Sequence, residues 1–390
     1  MASRADRTAG AAGAGEETGG AVAGGGDASR VTVDLTAVII AVAEGEPQVL
    51  VIDPGGARRG VGGAPKGGRL EALPSGPLQP GHQTLQAGLR AWVERQTRQS
   101  LGYVEQLYTF GDRARPPHER PLAPGVTVQG EDSSGRDPSS GKPGRADPSN
   151  ADPSGDAAGR TLSLAYLALV SEAHTDLALP ARWRRWYDLL PWEDGRAGPP
   201  AATRELTERL RAWAEAARGR DRTARLERLH LTFGLGETGW DEERALERYE
   251  LLYEAGLVPE AWTDRGEAVP AEVARLPGQA MTADHRRILA TAISRLRGKI
   301  KYRPVLFELM PPTFTLLQLQ RTAEALSGVR LHKQNFRRLV ERQKLVEETG
   351  EIETDTGGRP AKLMRFRPEV QLERPAPGVR PGAPRGARQR

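Results

Sequence analysis

Hydrophobic and polar positions divide this chain into segments of different period. Residues 31–42 and 48–53 are β-branched runs separated by Glu44-Gly45-Glu46-Pro47, the pattern of two strands and a turn. A helical period follows over 83–97, where Leu85, Leu89, Trp92 and Val93 recur on one side after Leu73-Pro74-Ser75-Gly76. Strand patterns return at 103–110 and 161–170, and these are expected to pair across the segment between them, because loop-closure cost grows only logarithmically with length. The Trp-rich stretch 183–192 supplies large apolar groups expected to be packed. Helices are expected over 201–217 and 241–254, the latter ending at Ala255-Gly256 with Pro259 beyond.

From residue 282 the organisation changes. Thr282 suits a helix N-cap, and Ile288, Leu289, Ile293, Leu296 and Ile300 give a helix that stops before Pro304. Thr313-Phe314-Thr315 opens a second helix through Leu316, Leu319 and Ala323 to Leu326, closed by Gly328, and a third covers about 332–344. Alternating residues around Gly357-Gly358-Arg359-Pro360 then make a β-ribbon. Three helices followed by a ribbon are the plan of a winged helix-turn-helix.

Residues 1–29 are small and aperiodic, and 113–160 is rich in Gly, Pro, Ser and Asp, with Asp-Pro-Ser at 137, 147 and 152; both are expected to be disordered. The chain of 390 residues has no cysteine, which excludes disulfides and thiolate metal sites. No stretch approaches the roughly 20 apolar residues of a membrane span, so a cytoplasmic protein without membrane partners is expected. Charge is unevenly placed. Residues 276–370 carry 18 Lys+Arg against 10 Asp+Glu and the 371–390 tail five against one; with a total of +5, residues 1–275 are left at −7. Basic and acidic parts in one chain point to different partners for the two.

Two constellations carry chemistry. In the third helix of the basic part, Phe336, Leu339 and Val340 lie on one side, while Gln334, Arg337, Arg338 and Arg342 project from the other with Glu341 the only acid among them. Gln and Arg suit adenine and guanine edges in a major groove, and Lys333, Lys344, Arg359 and Lys362 would flank the helix as phosphate contacts. A solvated basic face on a small helical domain accounts for the same residues. The other constellation is the 83–97 helix with its preceding Gly76. From Gly76, a five-residue gap leads to His82, and a seven-residue gap leads to Arg90-Ala91-Trp92-Val93-Glu94-Arg95. This spacing resembles a degraded Nudix box, whose glutamate positions fall on His82, Ala91, Glu94 and Arg95, so one carboxylate of four survives. Mg²⁺ takes hard oxygen ligands, and an alanine and a guanidinium supply none. No catalytic or metal-binding residue is therefore assigned. An ordinary amphipathic helix after a Pro-Ser-Gly turn fits the same pattern.

Taken together, the box, Leu107-Tyr108-Thr109-Phe110-Gly111-Asp112, 248–257, Asp284-His285, Arg295-Leu296-Arg297, Phe314-Thr315-Leu316, Lys333-Gln334-Asn335-Phe336-Arg337-Arg338 and Gly358-Arg359-Pro360 resemble the NrtR family of Nudix-related regulators of NAD metabolism. The resemblance covers about 31–112 and 161–370. It implies an α+β protein: a Nudix α/β/α sandwich with a mixed sheet over 30–195, a helical extension over 196–275, and a winged helix over 276–370. It also implies a homodimer that binds palindromic double-stranded operator DNA and senses ADP-ribose or a related nucleotide, with no bound cofactor. By the same resemblance Gly76, Arg90 and Glu94 would lie near the effector diphosphate, and Phe110 and Asp112 would border that pocket. For Arg90, a salt bridge closing the loop onto the helix competes with ligand contact, and for Phe110, a place in the core does. The alternative for the whole chain is a Nudix hydrolase of ADP-ribose-like nucleoside diphosphates.

Overall fold

The computed structural model describes residues 32–53, 70–79, 81–110, 161–171, 181–354, 360–373 and 378. The expectations for 1–29, 113–160, Asp112 and Arg359, and for most of the 371–390 tail, lie outside the described residues.

Strands β1 (Thr32–Ala43) and β2 (Glu46–Ile52) form an antiparallel hairpin closed by Glu44-Gly45, with φ of 53° and 76°. Two positive φ angles in a two-residue loop match the twist of the flanking strands. The turn is tighter than the sequence suggested, because Glu46 and Pro47 already pair with Ala43 and Val42. Next come β3 (Ser75–Pro77), which pairs with the start of β1, and α1 (Leu85–Thr97). As expected, β4 (Tyr103–Phe110) and β5 (Thr161–Leu169) pair antiparallel, and β5 runs parallel to β1. A further strand, β6 (Ala181–Arg185), lies on β2 within the Trp-rich region, where the sequence had suggested only packing. The sheet order is β4-β5-β1-β2-β6, and the sheet is mixed.

Both faces of this sheet are covered. Leu35, Ala37, Ile39 and Ala41 of β1 pack with Leu89 and Val93 of α1, whereas the alternate residues Val38 and Ile40 pack into a second, larger core. The period of two along β1 thus fixes which layer each residue serves. The second layer is built from α2 (Trp186–Leu189), α3 (Ala201–Ala216), α4 (Gly219–Phe233), α5 (Ala245–Glu254), the short α6 (Glu260–Thr263) and α7 (Ala271–Ala274), and α8 (His285–Ile300). Helix α4 was not anticipated: Leu229 and Phe233 are its buried apolar residues, too sparse a signal among its arginines. The winged helix follows as β7 (Phe314–Thr315), α9 (Leu316–Ser327), α10 (Lys333–Arg342), β8 (Val346–Glu353) and β9 (Ala361–Phe366), with α11 (Val370–Glu373) behind. Thr315 and Gln318 form a reciprocal capping box on α9, and Gly328 ends it at φ 71°.

Two sequence expectations change here. The cap of α8 is Asp284, not Thr282; Thr282 instead donates its backbone N–H to the Glu71 carbonyl. The boundary expected at 275/276 does not separate two cores. One apolar cluster runs from Val38, Val49 and Leu167 of the sheet through Leu252, Ile288 and Leu296 to Leu319, Leu326, Phe336 and Val340 of the winged helix. Helix α8, expected to belong to the winged helix alone, contacts β1, β4 and β5 as well as α9.

The polar hub of this core is Glu193. Its fully buried carboxylate accepts from Arg248 at 2.6 and 2.8 Å and from Arg297 Nη1, and both guanidinium side chains are equally buried. Arg297 also donates to the Leu326 carbonyl at 2.9 Å at the C-terminal end of α9, where Tyr187 Oη donates to the Ala325 carbonyl at 2.7 Å. Positive charge there complements the helix dipole. Burial opposes ionisation of Glu193, but the charges and hydrogen bonds of the two arginines outweigh it and hold the carboxyl below its usual range. Replacing Glu193 with Ala is expected to cost about 3–5 kcal/mol in urea unfolding, because two buried cations lose their partner. With the folded carboxyl depressed, its contribution is present above the unfolded glutamate value of about 4.3 and is lost as pH falls further; unfolding midpoints measured from pH 6 to pH 3 check the sign.

Candidate functional site

Helix α1 has kept the mechanical part of its motif. Thr84 caps it by accepting from the Ala87 N–H at 3.0 Å, and Arg98 closes it in the left-handed region at φ 57°. Gly76 lies under the Trp92 indole, so close that an added Cβ would stand 2.3 Å from the ring. Trp92 Nε1 donates to the Pro77 carbonyl and Gln96 Nε2 to the Ser75 carbonyl, both at 2.8 Å. Arg90 donates to the Leu101 carbonyl and, at 2.9 Å, to the Gly102 carbonyl, tying the far end of the helix to the approach of β4. The helix is therefore a clamp that holds β3 on one side and the β4 lead on the other.

Of the four glutamate positions of the motif only Glu94 carries a carboxylate. Ala91, Glu94 and Arg95 share the exposed face, as the helical spacing suggested, and the Arg95 guanidinium lies 4.4 Å from the centre of the Trp92 ring. His82 accepts from the Gln79 N–H at 3.2 Å. Among the described residues no group of three or more His, Asp or Glu side chains is arranged to hold a metal ion, and this face does not fit Mg²⁺. Two of the three residues expected beside a diphosphate are committed elsewhere. Gly76 is buried in packing against Trp92, and Arg90 spends its donors on two carbonyls, hydrogen bonds in place of the salt bridge weighed as its alternative. Arg90 and Glu94 are both exposed, and Glu94 shares its face with Ala91 and Arg95. Phe110 packs, half-buried, against the larger core.

The segment before α1 is fastened to α8, which sequence reading missed. Leu73 N–H donates to Nδ1 of the buried His285 at 2.8 Å, and Glu71 holds Arg182 and Arg184. Asp284-His285 stands out in sequence only as a motif, because the partner at residue 73 is 212 positions away.

Helix α10 presents a second candidate face. Phe336 and Val340 are buried and Leu339 half-buried, while Lys333, Gln334, Arg337, Arg338 and Arg342 are all exposed. Among the described residues Lys333, Arg337 and Arg338 have no carboxylate partner. Lys344 follows in the left-handed region at φ 51°, and its carbonyl accepts from Arg367 at 3.0 Å, which fixes the exit from α10 into the ribbon. Lys362 differs from expectation: Glu348, across the ribbon, binds its ammonium at 2.8 Å. That exposed pair is weak and does not bar a phosphate, but it lowers the lysine's share of the free positive charge.

Residues 306–366 match the family model described as the NrtR DNA-binding winged helix domain. Over 83 residues, 21% of the chain, the sequence is 42% identical to the ADPR responsive transcriptional repressor NtrR of Acinetobacter baylyi, and this stretch spans 33% of that relative's length. Among solved structures, Shewanella oneidensis NrtR complexed with a 27mer DNA is similar with a TM-score of 0.45 at 17% identity, over 89% of this chain and 98% of that one. A MutT/nudix family protein from Enterococcus faecalis is similar with a TM-score of 0.42 at 14% identity, over 87% of both chains.

If α1 serves as a clamp, Gly76→Ala is expected to destabilise the protein by about 1–3 kcal/mol through overpacking, whereas Glu94→Gln on the exposed face stays within about 0.5 kcal/mol. Chemical denaturation of the two variants measures the contrast.

Proposed function

We propose that this chain, which carries the DNA-binding winged helix of the NrtR family, is a ligand-responsive transcriptional regulator. The observation that carries the reading is the exposed face of α10, where Lys333, Gln334, Arg337, Arg338 and Arg342 surround a helix anchored by Phe336 and Val340. Such a face suits the major groove of an operator: the glutamine and arginines read base edges, and the lysine neutralises phosphate. Lys344 and Lys362 flank it as backbone contacts. A palindromic operator and a cytoplasmic homodimer complete the arrangement, two recognition helices meeting two half-sites.

The Nudix-like α/β part serves as sensor in place of catalyst. Its box helix retains the packing residues and lacks the oxygen ligands that metal-assisted pyrophosphate cleavage requires. ADP-ribose or a related nucleotide is the effector, in keeping with the ADP-ribose responsiveness carried by the name of the Acinetobacter relative.

A gel-shift titration with the DNA upstream of its own gene, with and without ADP-ribose, tests the reading. Specific binding that exceeds binding to random duplex, and that ADP-ribose alters, is the expected result; equal affinity for both duplexes overturns it. Arg338→Ala is expected to weaken specific binding by about 1–3 kcal/mol if it reads a base; if instead it holds a phosphate, the slope of log K against log salt flattens by about 0.9. With Mg²⁺ or Mn²⁺ present, no turnover of ADP-ribose is expected; turnover abolished by Glu94→Gln would restore the hydrolase reading.

A further inference from the structure

Four polar side chains of α9, Gln320, Thr322, Glu324 and Ser327, are buried although the apolar stripe through Leu319, Ala323 and Leu326 does not require them. Glu324 is the costly one, a carboxylate in a residue only 5% exposed. At Glu193 two close, buried guanidinium groups offset that cost. At Glu324 the cation is Arg330, 3.3 Å away with its side chain 72% exposed, and such a pair contributes little. The closer hydrogen bonds run elsewhere. Glu324 Oε1 accepts from the Leu331 backbone N–H at 3.0 Å and from Gln320 Nε2 at 2.9 Å.

Gln320 Nε2 also donates to the Leu331 carbonyl at 3.1 Å. Both backbone polar groups of Leu331 are therefore held by side chains of α9. Leu331 stands immediately before His332, the N-cap of α10, and that cap makes no side-chain hydrogen bond. In contrast to α9 with its capping box, α10 brings no side chain of its own to fasten its first turn. Phe336 and Val340 hold it by apolar packing, which is non-directional. Hydrogen bonds weaken steeply off axis, so the two at Leu331 set the direction in which α10 departs. On the outer side of the same turn, Arg330 Nε donates to the Arg196 carbonyl at 3.2 Å.

We propose that Glu324, together with Gln320, is a positioning residue for DNA reading: by holding Leu331 from both sides it fixes the angle at which α10 enters the major groove. It acts through the backbone of Leu331 and touches neither base nor phosphate. The inference rests on the regulator reading above and deepens it, because the two kinds of DNA contact differ in their tolerance. A base edge is read only within hydrogen-bond distance and angle, whereas attraction to phosphates reaches over about a Debye length. A tilt of α10 therefore loses specific contacts and keeps the general attraction of Lys333, Arg337 and Arg338.

Gel shifts of the full chain on the DNA upstream of its own gene and on a random duplex, repeated over a range of salt, test the role. Glu324→Leu and Gln320→Leu are each expected to lower the ratio of specific to random affinity by about tenfold or more, with the salt slope on the random duplex unchanged. Glu324→Gln has the same charge as Glu324→Leu but keeps an acceptor for the Leu331 N–H, and it is expected to restore most of the ratio. Urea melts establish which variants fold; if Glu324→Leu does not, Gln320→Leu, which removes no charge, decides. A ratio that stays at the wild-type value in the folded leucine variants, or an equal loss on both duplexes, overturns the positioning role and leaves the regulator reading in place. Glu324→Gln as impaired as Glu324→Leu assigns the effect to charge and overturns it too. A wild type that binds both duplexes alike overturns the regulator reading and the positioning role together.

Discussion

The buried carboxylate of Glu193 is the constraint on which the arrangement of this molecule depends. It receives Arg248 from α5 and Arg297 from α8, and Arg297 goes on to hold the last carbonyls of α9. An ion taken out of water is tolerated only when its lone pairs are satisfied. The geometry of the hub therefore dictates where the α/β part, the helical extension and the winged helix stand relative to one another. The apolar cluster running through all three adds area to the same joint but is less directional.

Helix α1 has a structural task. Trp92 and Gln96 grip the backbone of Ser75 and Pro77, Arg90 grips that of Leu101 and Gly102, and Arg95 packs its cation on the Trp92 ring at 4.4 Å. The segment held by this clamp is bonded in turn to His285 at the start of α8. Thus α1 and α9 are joined through opposite ends of one sixteen-residue helix.

Charge is distributed to match. Within the ribbon, Lys362 is paired with Glu348 and Arg365 with Glu347. On α10, Lys333, Arg337 and Arg338 have no such partners among the described residues. Free charge rather than total charge steers a polyanion, so a modest excess of basic residues can still yield one strongly attractive face.

What the sequence determined by itself is local. Periods of two and 3.6 placed β1, β2, β4, β5, α1, α9 and α10, and named Phe336 and Val340 as anchors of a basic face, because each of these depends on neighbours a few residues away. The register of a box with one carboxylate of four was equally visible, since it is only a matter of spacing. Tertiary structure decided the rest. Gly76 and Arg90 share a motif with ligand-binding positions, yet the indole above one and the two carbonyls beside the other commit them to packing. Nothing local marks Glu193 as a buried hub or tells what His285 of the Asp284-His285 motif binds, because their partners come from 55 to 212 residues away. Burial and long-range hydrogen bonds arise only when distant segments meet, and no local pattern encodes which of them will.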